Sequence, residues 1–134
     1  MNKNDTLVLE KISIKDLVKI KDEMAELLKK DSLSNAEKAG LIKFFELSYE
    51  LSWKTIKRVL LLHRSVDVRT GTKDIFREAA KAGYIDDPEL WFDFIEDRNE
   101  TVHAYNESTV DSIIDDLPGF QVELEKLVSN LLNL

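Results

Sequence analysis

From Ser34 to Arg64 apolar and small residues recur at helical spacing with no proline to interrupt them: Leu41, Phe44, Phe45, Ser48, Leu51, Ser52, Thr55, Ile56, Val59, Leu60 and Leu62. At about 100° per residue they cover roughly half the circumference of one long helix. An arc that wide needs more than one neighbour, so this helix is expected at the centre of a bundle, or at a subunit contact as well as in the core. Its start is marked by Ser34-Asn35-Ala36-Glu37, a capping box in which the Ser and Glu side chains satisfy each other's backbone N–H groups.

Four further helices flank it. The first begins near Ser13, where Ser-Ile-Lys-Asp resembles another capping box, and carries Ile14, Leu17, Val18, Met24, Ala25 and Leu28 to about Lys30. Leu7 to Leu9 reads as an extended lead-in. After a loop from Val66 to Gly71, Thr72 is expected to cap a short helix through Ile75, Phe76, Ala79 and Ala80 that stops at Gly83. Asp87-Pro88, an N-cap followed by proline at the first helical position, opens a helix expected to run to about Tyr105. Ser108-Thr109-Val110-Asp111 then offers a capping box for the last helix, which Pro118-Gly119 should break before Phe120, Leu124, Leu127, Val128 and Leu131 resume its apolar side. The pattern predicts an all-α, up-and-down bundle of about five helices forming one domain over residues 1–134.

Composition narrows the chemistry. The chain has no cysteine and only His63 and His103, which removes thiolate nucleophiles and Cys-ligated zinc and leaves a metal site dependent on carboxylates. Neither a metal nor a cofactor is expected. The formal charge of -7 opposes non-specific binding to a polyanion, so nucleic acid must meet a local basic patch. Lys54, Lys57, Arg58, His63, Arg64 and Arg69 could form one, or a plain solvated face. No apolar run reaches the roughly 18 residues that cross a bilayer, and Met-Asn-Lys-Asn-Asp lacks a secretory pattern. The expectation is a cytoplasmic protein without membrane contact.

The fourth helix breaks its own pattern. Trp91, Phe94, Ile95 and Val102 form an apolar stripe, and the same arithmetic sets Arg98 and Tyr105 in its middle. A guanidinium there needs a carboxylate partner, an anionic ligand, or a contact surface that keeps it partly hydrated. Asn99 and His103, four apart, adjoin on the flank with Glu96 one turn earlier. Histidine exchanges protons near neutral pH, arginine neutralises phosphate bidentately and an asparagine amide orients either. A hydrogen-bonded surface histidine beside a structural ion pair is the simpler alternative. On the long helix, Glu46 and Glu50 lie one turn apart near Trp53, Lys54 and Lys57; they could bind substrate, or Glu50 and Lys54 could form an ordinary ion pair.

The run Arg98-Asn99-Glu100-Thr101-Val102-His103-Ala104-Tyr105 has the form Arg-x-x-x-x-His-x-Tyr and resembles the signature of HEPN-domain proteins. Phe45-Glu46-Leu47-Ser48-Tyr49-Glu50-Leu51-Ser52-Trp53-Lys54-Thr55, Arg77-Glu78-Ala79-Ala80-Lys81-Ala82-Gly83-Tyr84-Ile85, Trp91 and Asp97-Arg98-Asn99 resemble the nucleotidyltransferase substrate-binding branch of that superfamily. The resemblance implies a homodimer paired with a minimal nucleotidyltransferase, as in toxin and antitoxin modules. It further implies a metal-independent endoribonuclease with catalytic Arg98, Asn99 and His103 facing their copies across the dimer, and AMP transfer to Tyr105 as the means of silencing it. The alternative is a non-catalytic subunit that binds substrate or nucleotide for the nucleotidyltransferase.

Overall fold

The computed structural model describes residues 14–134. Helices α1 (Lys15–Leu28), α2 (Asn35–Arg64), α3 (Thr72–Lys81), α4 (Pro88–Glu100) and α5 (Glu107–Leu132) follow one another, with a 3-10 turn (Thr101–His103) between the last two. No strand occurs among the described residues. None of these helices is long and apolar enough to cross a membrane. The expected capping box at Ser13 and the lead-in at Leu7 to Leu9 lie outside the described residues.

Helix α2 starts as its capping box predicts: Ser34 Oγ accepts from the Glu37 N–H at 3.1 Å, and Glu37 Oε1 accepts from the Ser34 N–H at 2.9 Å. It packs against α1, α3, α4 and α5, the central position that its wide apolar arc demanded. Buried Ser48 lets α1 approach closely, its hydroxyl meeting Met24 Sδ at 3.6 Å, and buried Ser52 donates to the Ser48 carbonyl at 2.7 Å. The arc ends sooner than expected, because Leu62 is 51% exposed.

An aromatic cluster locks α4 onto the bundle. Trp91 is fully buried, stacks on Phe76 at 4.9 Å and meets Phe120 edge-on at 5.8 Å. The Tyr49 hydroxyl donates to the Trp91 carbonyl at 3.3 Å, and burial pushes its pKa up. These contacts join α2, α3, α4 and α5 and set where α4 ends relative to the middle of α2.

Four local expectations are corrected. Gly71, not Thr72, is the N-cap of α3 and supplies no side-chain bond; its φ of 133° is open to glycine and strained for other residues. Helix α4 stops at Glu100 rather than near Tyr105, because the Thr101 hydroxyl donates to the Arg98 carbonyl at 2.7 Å and the Thr101 N–H turns to the same oxygen. Helix α5 is capped by Asn106, whose Oδ1 accepts from the Ser108 N–H at 3.0 Å, so Ser108 lies inside the helix. Pro118 does not break α5. Its ring is on the exposed side, while Leu117, Phe120 and Leu124 are fully buried on the other, and their packing keeps the helix continuous.

Candidate functional site

Arg98 is held at the end of α4 by two neighbours. Its Nε lies 3.8 Å from Glu50 Oε1 on α2, an ion pair too long for a hydrogen bond, and its Nη1 donates to Thr101 Oγ1 at 3.3 Å. The Nε itself is buried without a hydrogen-bond acceptor, although the side chain as a whole is 30% exposed. The arginine is therefore oriented but not saturated. Thr101, absent from the expected site, is its most intimate partner: the hydroxyl accepts from the guanidinium while donating to the Arg98 carbonyl. A threonine three residues after an arginine at a helix end was the local signal.

The 3-10 turn changes what regular-helix spacing implied about the rest of the motif. At about three residues per turn it rotates each residue further than an α-helix does. Asn99 and His103 are both exposed, Val102 is 69% exposed rather than part of an apolar stripe, and Tyr105 stands 85% exposed beyond the turn. The rings of His103 and Tyr105 meet edge to face with centroids 6.0 Å apart. One imidazole and one phenol thus face solvent together just past the anchored arginine.

The two glutamates of α2 part company. Glu50 faces Arg98 and also lies 4.0 Å from Lys54 Nζ, the ion pair that their spacing offered. Glu46, 3.7 Å from Lys43, instead lines a cleft shared with Tyr105. Trp53 is half-buried against the core, with Lys54 Nζ 5.6 Å over its ring. Lys57 lies on the same side, half-buried. Among the described residues no three His, Asp or Glu side chains are grouped as metal ligands.

Beside Arg98, Asp97 on α4 faces Asp116 on α5. Desolvation by burial raises its pKa to about 7, helped by a hydrogen bond and like charge from Asp116 and by the charges of Asp93 and Glu100. Nothing in the spacing of these acids within either helix signalled that they meet.

Comparison with known proteins gives concordant results. Residues 12–133 match the family described as nucleotidyltransferase substrate binding protein like. A Haemophilus influenzae protein named probable ribonuclease HepT is 35% identical over 96 residues, which make up 69% of this chain and 66% of that relative. A solved structure from Haemophilus influenzae, described as revealing the fold of a substrate binding domain of a nucleotidyltransferase, superposes with a TM-score of 0.82 at 27% identity, covering 89% of this chain and 98% of that one. A solved structure from Thermus thermophilus superposes with a TM-score of 0.78 at 26% identity, covering 86% and 98%.

Proposed function

Because the chain belongs to the nucleotidyltransferase substrate binding protein like family, we propose that it works beside a nucleotidyltransferase and that its own site is a metal-independent endoribonuclease. The observation that carries this reading is the grouping at the end of α4: a guanidinium oriented by Glu50 and Thr101, next to an imidazole and a phenol left open to solvent. The description of the Haemophilus influenzae relative as a probable ribonuclease supports it.

Cleavage by transphosphorylation asks for three things. A base takes the proton of a ribose 2′-hydroxyl, whose oxygen then bonds to phosphorus. The P–O5′ bond breaks and the leaving oxygen takes a proton from an acid. A cation stabilises the phosphorane formed between these events. His103 can act as base or acid, Arg98 stabilises the added negative charge, and Asn99 positions the phosphate. One chain offers one histidine in this motif, and a second copy facing it in a homodimer supplies base and acid on separate histidines. The partner enzyme transfers AMP from ATP to the exposed Tyr105 hydroxyl: the phenol oxygen, losing its proton, bonds to the α-phosphorus as the bond to pyrophosphate breaks, and the added charge and bulk beside His103 block RNA. Such a pair forms a toxin and antitoxin module.

A second reading, a non-catalytic subunit that binds substrate or nucleotide for the nucleotidyltransferase, is favoured by the formal charge of -7, which repels RNA outside a local site. The readings separate on incubation of labelled RNA with the purified protein in chelator, beside the His103→Ala variant. Cleavage by the parent alone is expected. An intact substrate with both, across several RNAs, would overturn the nuclease reading in favour of the subunit.

A further inference from the structure

Behind Tyr105 the first half of α2 and the segment leading into α5 enclose a cleft of about 410 Å³. Its volume falls at the small end of ligand pockets, which run from about 300 to 1,000 Å³, and suits one nucleotide rather than a strand. Its lining is chemically divided. Ile42, Ala39, Ala104 and Val110 supply an apolar wall, whereas Lys43 and Glu46 place a cation and a carboxylate along α2, with Asn35 and a second carboxylate, Glu107, completing the polar lining.

We propose that this cleft binds a nucleoside monophosphate group, with the base on the apolar wall, the ribose hydroxyls donating to Glu46 and the phosphate beside Lys43. A bare phosphate or an apolar ligand leaves half of this lining unused. Carboxylates are apt acceptors for ribose hydroxyls, and an ammonium suits a phosphate. Lys43 is 66% exposed and held to Glu46 only at 3.7 Å, so it can turn to a ligand at little cost. Lys38 has a different part: its 2.9 Å ion pair with Asp111 ties α2 to α5 and keeps the cleft walls together.

Tyr105 lines this cleft while its ring lies 6.0 Å from that of His103. A nucleotide attached to the Tyr105 hydroxyl can therefore fold back into the cleft and lie across His103, instead of projecting into solvent. This link to Tyr105 rests on the functional reading above; affinity for the free nucleotide does not.

The test is titration of AMP into the full chain, followed by calorimetry and ligand-observed NMR. Saturable binding is expected in the parent, with Glu46→Gln and Lys43→Ala each weakening it about tenfold. The 2′,3′-dideoxy analogue should bind the parent about tenfold more weakly than AMP and lose little more with Glu46→Gln, because the lost partner is the same. Arg98→Ala should leave AMP affinity unchanged. No saturation at millimolar AMP, or equal affinity in the parent and both cleft variants, would sink the proposal. RNA cleavage on the same samples keeps the two ideas apart: cleavage without AMP binding removes only the cleft, and AMP binding without cleavage removes only the nuclease.

Discussion

Glu50 Oε1 stands 3.8 Å from Arg98 Nε, joining the middle of the central helix to the end of α4. The pair is long, its carboxylate also attends Lys54, and Arg98 keeps part of its surface open. Glu50 thus aims the guanidinium while competing with any phosphate that arrives.

Glu50→Gln is expected to change stability by less than about 1 kcal/mol, because a partly exposed pair at this distance contributes little. If the site cleaves RNA as proposed, RNA affinity should rise through removal of the competing charge, whereas cleavage per bound substrate should fall as Arg98 loses its alignment. Denaturant melts, and single-turnover rates measured against RNA concentration, check both halves.

Asp97 should make the fold more stable in mild acid. Its folded pKa of about 7 is above the ordinary 3.8, so the native state binds this proton more tightly than the unfolded chain. The contribution is fully present below the unfolded value and is lost as pH rises through about 7. Asp97→Asn should flatten the slope of unfolding free energy between these limits. An unchanged slope in urea melts across that range would rule out a proton held between α4 and α5.

The aromatic lock predicts that Trp91→Ala costs about 3–5 kcal/mol, since it removes a fully buried ring contacting Phe76 and Phe120. His103→Ala, at an exposed position, should leave the melting midpoint within about 0.5 kcal/mol of the parent. Chemical denaturation of both variants distinguishes a residue that builds the site from one that only occupies it.

Pro118→Ala should stabilise the fold by about 1–2 kcal/mol. It restores an N–H inside α5 and removes the ring's clash, partly offset by a freer unfolded chain. A thermal melt that moved down instead would mean that the proline's shape is itself required by the bundle.

The sequence by itself determined the helical class, the capping box at Ser34, the Asp87-Pro88 start and the central place of α2. Each of these is a property of neighbouring residues repeated at one helical period. The motif residues Arg98, Asn99, His103 and Tyr105 were legible as a sequence run, but the helical period that set Tyr105 on an apolar stripe fails past Glu100, where the 3-10 turn begins. Tertiary structure decided where α4 stops, that α5 passes through Pro118, and which acids the motif meets. Glu50 reaches Arg98, Glu46 shares a cleft with Tyr105, and Asp97 faces Asp116 only because the core around Trp91 and Phe120 sets the helices against one another. A helical repeat records which side of a helix is buried, but not the height at which it meets its neighbour, and these pairings depend on that height.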